Sequence, residues 1–182
     1  AGAIAGKNPL TAFKNMLPAY ATALGTSSSA ATIPVTYKCA QKNGVSESVA
    51  GFVVPLCATI HLAGSTMKIT LFAFAVLFIS GDTVSFGQAL GFVMMLGVTM
   101  IAAPGVPGGA IMAAVGLLSS MLGFTDEQVA LMIAAYIAID SFGTAANVTG
   151  DGAIALIVNR FTKGKLDREE PEELSDAELL AR

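Results

Sequence analysis

The run Ala58-Thr59-Ile60-His61-Leu62-Ala63-Gly64-Ser65-Thr66-Met67-Lys68 sits in the middle of an apolar segment that extends from Ser46 to Ser80. A helix crosses a bilayer with about 20 apolar residues, and this segment exceeds that length. A polar, glycine-containing patch with a lysine close behind is out of place in such a span. Main-chain groups freed there find no water in hydrocarbon, so protein, an ion or an internal water must satisfy them. The reading is a discontinuous membrane helix over about 46–80, interrupted at His61 to Thr66.

The same device recurs on both sides. Asn8 to Gly25 reads as a short apolar helix, Thr26-Ser27-Ser28-Ser29 as a break, and about Ala30 to Gln41 as a second short helix before the turn Lys42-Asn43-Gly44. Neither helix has the length of a full span, so about 8–42 reads as a re-entrant hairpin with a serine tip. After the loop Gly81-Asp82-Thr83, two apolar stretches, Phe86 to Ile101 and Ala110 to Gly123, flank Ala102-Ala103-Pro104-Gly105-Val106-Pro107-Gly108-Gly109. That run is a strong helix breaker, and about 86–123 reads as a second hairpin. Thr125-Asp126-Glu127 is a helix start with acids in its first turn. It opens a last span, about 126–160, which carries Asp140 and Asp151 and is expected to break at Asn147-Val148-Thr149-Gly150. Hairpin followed by broken span thus occurs twice, and discontinuous segments in corresponding halves are how membrane carriers build midplane binding sites.

Composition agrees. The chain is 54% hydrophobic and 13% charged, with a mean hydropathy of +0.69, against about 25% charge in a soluble domain. Seven of the 13 acids and four of the 10 bases fall in 161–182. Residues 1–160 therefore read as a membrane core and 161–182 as an acidic cytosolic tail, since charge inside hydrocarbon is costly. Trp is absent, which leaves Tyr20, Tyr37 and Tyr136 as the expected interfacial anchors. Cys39 and Cys57 are read as small buried residues, not as a disulfide or a metal site. A single histidine excludes a multi-histidine metal cluster, and a net charge of −3 argues against nucleic-acid binding. The chain starts with Ala and no signal peptide opens it, so it reads as a fragment or a processed product.

Asp140 and Asp151 lie 11 positions apart, on roughly one helix face about three turns apart. A carboxylate inside a membrane is a functional candidate by default; the plainer role for Asp140 is to cap a neighbouring helix. Ser28 and Ser29 at a half-helix N-terminus suit an anion, or form an ordinary turn. The tip with Pro104 and Pro107 is a gate or a plain loop. The sequon Asn147-Val148-Thr149 falls in mid-span, where glycosylation is implausible.

Four ordered motifs make the pattern specific: Thr26-Ser27-Ser28-Ser29-Ala30-Ala31-Thr32-Ile33-Pro34-Val35-Thr36, Ala58-Thr59-Ile60-His61-Leu62-Ala63-Gly64-Ser65, Gly105-Val106-Pro107-Gly108 and Asn147-Val148-Thr149-Gly150-Asp151. With them the chain resembles the C-terminal transport core of the dicarboxylate/amino acid:cation symporters, the family of archaeal aspartate and mammalian glutamate transporters. The resemblance implies an all-α membrane protein with two re-entrant helical hairpins and two discontinuous transmembrane helices. It implies secondary active symport by alternating access, not enzymatic turnover, in a multi-pass protein of the cell membrane. Scaffold helices precede this core in the family and assemble it as a homotrimer; this chain lacks them. Carried over residue by residue, the substrate site comprises Ser28, Ser29, Ser65, Gly105, Val106, Gly143 and Thr144, with Asp140 for the substrate ammonium and Asn147 for a side-chain hydrogen bond. The sodium ligands comprise the carbonyls of Cys57 and Thr59, with His61, Ile101, Asn147 and Asp151.

This sequence also departs from the family. Acidic-substrate members carry an arginine where Gly143 stands, and without it a second substrate carboxylate is left unpaired. A small neutral amino acid is therefore expected, carried with Na+; the alternatives are a dicarboxylate or acidic amino acid symporter, or an ion channel or pore. A membrane enzyme using Asp140, Asp151 and His61 lacks a positioned nucleophile. His61 replaces an asparagine and Ala63 an aspartate, so a third sodium site is not expected. Lys68 stands where a neutral residue is usual. It either supplies a built-in positive charge in place of a transported cation, or snorkels to an interface or water-filled cavity; the second reading is adopted. His61 is left open between a neutral hydrogen-bonded role and proton coupling, since imidazoles titrate near neutrality.

Overall fold

A computed structural model describes residues 2–163, and within them the chain is helical throughout, with no strand. In chain order the helices are α1 (Gly2–Ala5), α2 (Pro9–Thr26), α3 (Ser29–Lys42), α4 (Glu47–Ile60), α5 (Ala63–Ser80), α6 (Phe86–Met100), α7 (Gly109–Leu122), α8 (Asp126–Ala138) and α9 (Asp140–Thr162). The expected acidic tail lies outside the described residues, apart from its first three.

Each helix end has a local cause. The Asn8 side chain accepts from the amides of Leu10 and Thr11, and Pro9 occupies the first turn of α2, where its missing N–H costs nothing. The helix stops at Ser27, which takes a left-handed backbone (φ 49°). Ser28 then caps α3 by accepting from the Ala31 amide. The tip of this first hairpin is thus only two residues long. Helices α6 and α8 both open on capping boxes, Ser85 with Gln88 and Thr125 with Gln128, each satisfying two otherwise orphaned amides. Gly108 caps α7 with φ 72°, a conformation that only glycine adopts without strain.

Helices α2 and α3, of 18 and 14 residues, pack against each other, as do α6 and α7, of 15 and 14 residues. At 1.5 Å per residue, 14 to 18 residues reach about 21–27 Å, short of a bilayer's ~30 Å core. Helix α9 runs through the middle and packs on α2, α3, α4 and α5. Two apolar clusters join it to the first hairpin and α4, through Met16, Ala19, Val49, Val54, Val148 and Ala155. A third knits α5 to the second hairpin and α8, through Ile69, Phe92, Leu96, Ile111, Leu118 and Met132. The outside is apolar as well: Leu10, Phe78, Ile79 and Phe86 are at least 78% exposed. Only a membrane or another protein segment covers that much outward hydrocarbon. By length and composition, the stretch Glu47–Ser80 is apolar enough to cross a membrane; α8 and α9 together add a second if counted as one bent span.

Three expectations are corrected here. The last span does not break at Asn147 to Gly150, which lie inside the continuous α9. It breaks at Ile139, where α8 and α9 meet at a 62° bend. The corner is supported there: the carbonyls of Tyr136 and Ile139 keep only long main-chain bonds, 3.3 Å from the amides of Ile139 and Phe142, and both also accept from the buried ammonium of Lys68. Lys68 accordingly does not snorkel to an interface or cavity; it is 7% exposed. Tyr136, expected as an interfacial anchor, is buried, and its ring lies 3.5 Å beneath the same ammonium.

Candidate functional site: the junction of the two hairpin tips

The two tips, 77 residues apart in sequence, touch. The Ser28 hydroxyl donates to the Gly105 carbonyl at 3.0 Å, and the Ala30 amide donates to the same oxygen at 3.2 Å. Gly105 also runs so close to the Ala58 carbonyl at the end of α4 that a Cβ there would overlap it. Directly behind this contact is a small polar cavity. Ser27 and Ser29 line it from the first tip, Gly105 and Val106 from the second. Ser65 of α5 and Asp140, Thr144 and Asn147 of α9 complete its polar wall. Its volume is about 10 Å³, room for about one water.

Seven residues singled out from the sequence as substrate ligands therefore meet at one place: Ser29, Ser65, Gly105, Val106, Asp140, Thr144 and Asn147. Ser28 stands behind the tip, with its hydroxyl spent on the cap and on Gly105. Gly143 is buried beside the cavity and faces α5: a Cβ built on it would lie 3.4 Å from Lys68 Nζ and 3.3 Å from Lys68 Cε. The lysine occupies the room from which a side chain at 143 would start.

Asp140 is held at both oxygens. Lys68 donates to Oδ1 at 3.0 Å, and the Gly108 amide, from the second hairpin, donates to Oδ2 at 2.8 Å. Lys68 spends its other two protons on the carbonyls of Tyr136 and Ile139, at 3.4 and 3.2 Å. The C-terminal end of a helix attracts a cation through its unpaired carbonyls, and the face of Tyr136 adds to that attraction. Asn147 has a role that the sequence reading missed. Its Oδ1 accepts from the amides of Gly64 and Ser65, at 2.8 and 3.4 Å, while its Nδ2 donates to Ser65 Oγ at 3.0 Å. Helix α5 begins with no side-chain cap of its own, so Asn147 supplies one from α9 and fixes the break at His61-Leu62.

The residues proposed for sodium are less tightly gathered. His61 Nδ1 and Asp151 Oδ1 lie 2.8 Å apart. The other oxygen of this buried carboxylate, Oδ2, has no hydrogen-bond partner within the described residues. A hard cation seeks such an oxygen, and a buried carboxylate demands such a partner. The Cys57 carbonyl accepts from the His61 amide at 2.9 Å. Thr59 and Ile101 are exposed at the C-terminal ends of α4 and α6. Ser27, Lys68 and Tyr136 are site residues that the sequence reading did not assign. For Lys68 the signal was present, a charge inside a span with a glycine at 143; Ser27 and Tyr136 carry none above their neighbours.

A bundle of this kind, with two hairpins joined tip to tip, two broken helices and a charged buried junction, defines a class of helical membrane proteins organised around discontinuous helices. The sequence of the sodium:dicarboxylate symporter family matches over residues 1–161. The chain is 34% identical over 162 residues to an excitatory amino acid transporter of Caenorhabditis elegans, covering 88% of this chain and 32% of that protein. It is 34% identical over 167 residues to human excitatory amino acid transporter 1, covering 91% and 31% respectively. Human excitatory amino acid transporter 2 is 32% identical over 162 residues, covering 88% and 28%. The chain belongs to the sodium:dicarboxylate symporter family, a family of membrane transporters. It spans about a third of the length of the relatives it matches.

Proposed function

We propose that this chain is the substrate-carrying core of a secondary transporter that moves a small amino acid with Na+ by alternating access. The observation that carries the reading is the convergence of both hairpin tips, Asp140 and Asn147 on one polar cavity. The substrate carboxylate would lie against the first tip, at Ser29 and the start of α3. Its ammonium would lie on Asp140, whose oxygens each keep a second lone pair. The second tip would act as the gate, since opening it withdraws the Gly108 amide from Asp140 Oδ2. Residues 1–160 would move as the mobile unit, with α2–α3 and α6–α7 as re-entrant hairpins, in a multi-pass protein of the cell membrane. Scaffold helices outside this chain would hold it in a homotrimer.

Asp151 is the residue we assign to Na+, because its free oxygen lies buried at the α4–α5 break beside His61. A proton shared with His61 is the alternative coupling ion at that point. For the substrate side chain, Gly143 supports a neutral amino acid, since no guanidinium stands there to meet a second carboxylate. An acidic substrate is the second reading: Lys68 brings positive charge beside Gly143, though its three protons are already donated to Asp140, Tyr136 and Ile139. The names of the relatives, excitatory amino acid transporters, point the same way.

Uptake by the full-length protein in proteoliposomes tests the reading. An inward Na+ gradient is expected to drive saturable accumulation of labelled serine, alanine or threonine, and Asp140→Asn is expected to abolish it. Conductance without saturable uptake would turn the reading to a pore. Strong inhibition by aspartate would replace the neutral substrate with an acidic one.

A further inference from the structure

Among the described residues, the buried side chains that carry formal charge at neutral pH are three: Asp140, Asp151 and Lys68. Their pairing is unequal. Lys68 and Asp140 form an ion pair at 3.0 Å with both side chains at most 8% exposed. The lysine has no proton to spare: its three go to Asp140, Tyr136 and Ile139. It also stands behind the cavity wall: Asp140 and Tyr136, which it contacts, line the cavity, and Lys68 itself does not. Such an ammonium is not a ligand waiting for substrate. Removing it would leave a buried carboxylate uncompensated, which is strongly unfavourable. Asp151 has no such partner. Taken as neutral, the His61 imidazole, with Nδ1 2.8 Å from Oδ1, meets that oxygen without cancelling its charge, and Oδ2 has no partner among the described residues.

We propose that Lys68 is a tethered cation standing in for a transported one: it permanently neutralises Asp140, so that a single Na+ at Asp151 balances the buried charge and each substrate travels with one Na+. The proposal rests on the sodium-coupled transport reading above. It adds what that reading leaves open, the number of coupling ions and the residue that sets it. The lysine is attached to α5 and moves with the core in both directions, so it contributes charge in every step and no driving force. With Lys68 in place, a zwitterionic substrate and one Na+ bring the core to electrical neutrality, the condition that makes passage through hydrocarbon cheapest. Without it, Asp140 calls for a second mobile cation.

The test is the coupling ratio of the full-length protein in proteoliposomes, read from the substrate gradient that just balances an imposed Na+ gradient. The wild type and Lys68→Arg are expected to give one Na+ per substrate, and Lys68→Met two, a twofold change. A ratio above one in the wild type, or the same ratio in Lys68→Met, overturns the proposal and leaves sodium-coupled transport standing. Failure of the wild type to accumulate any amino acid would sink the transport reading, and this inference with it. If Lys68→Met folds without turning over, equilibrium binding of labelled Na+ replaces the flux measurement, with two sites expected against one in the wild type. If it does not fold, the charge-balanced pair Lys68→Met/Asp140→Asn is used in the same binding assay. One Na+ site in that double variant supports the proposal, and two overturn it.

Discussion

Gly143 is where a single missing side chain alters the chemistry of the junction, because the ammonium of Lys68 fills the room that residue 143 leaves. Placing arginine there puts two cations on one aspartate. Gly143→Arg is expected to cost about 3–5 kcal/mol, the usual penalty for an uncompensated buried charge, seen as a lower unfolding temperature of the purified protein. Gly143→Arg/Lys68→Met restores one cation per carboxylate and is expected to recover most of that loss; no recovery would mean that the two positions do not share a site. A second pair is testable at the break in α4–α5. A Cβ on Gly150 would overlap the His61 ring. Gly150→Ala is expected to cost about 1–3 kcal/mol by overpacking, and His61→Asn in the same chain, with its smaller side chain, to return part of it. Much of this scale was legible beforehand: Asp140, Asn147, Ser29 and Ser65 were picked from motif positions and lie together. The partner of Asp140 was not, because a lysine at position 68 has two physically sound destinations. Only the packing of α5 on α8 and α9 shows that three acceptors await it inside.

Short helices that end on cheap, local signals make up the two hairpins, and the limits of those four helices could be read from the sequence to within a residue. Helix α5, by contrast, starts at Ala63, inside the stretch His61 to Thr66 that was read as interrupted. Asn8-Pro9, Ser28, Ser85 with Gln88 and Thr125 with Gln128 start their helices by hydrogen bonds confined to a few neighbouring residues. The break in the last span was misplaced for the opposite reason. Asn147 and Gly150 look like helix breakers when only neighbours are considered. In the folded chain Asn147 caps a different helix, α5, while Lys68 satisfies the carbonyls at Ile139, so the cheaper place to break is eight residues earlier. The tip-to-tip contact yields a prediction of its own. Ser28→Ala removes both the cap of α3 and the bond to Gly105; lost N-caps alone cost about 1 kcal/mol. In an Ala110→Cys background, at a lining position that is 5% exposed, Ser28→Ala is expected to speed labelling by an impermeant thiol reagent several-fold, since the two tips would part more often. Unchanged labelling would show that the contact does not hold the gate.

As a whole, the molecule is apolar on its outside as well as in its core, unlike a soluble bundle of its size. Large apolar side chains such as Phe78 and Phe86 point outward, while the polar residues that matter gather where four helix breaks meet. Hydrocarbon outside forbids unpaired main chain there, and within the described residues three of the broken ends take a partner from another element: Asn147 for α5, Lys68 for α8, Gly105 for α3. Those partners converge because every break has to be satisfied from inside, and the same groups would then be available to a polar solute that replaces them. The most direct check is a structure of the full-length protein with Na+ and its amino acid bound. The cavity is expected to have expanded around continuous density in contact with Ser29, Asp140 and Asn147, with the second tip closed over it and a separate ion peak beside Asp151 Oδ2. Substrate density away from these residues, with the junction still sealed around room for one water, would contradict the account.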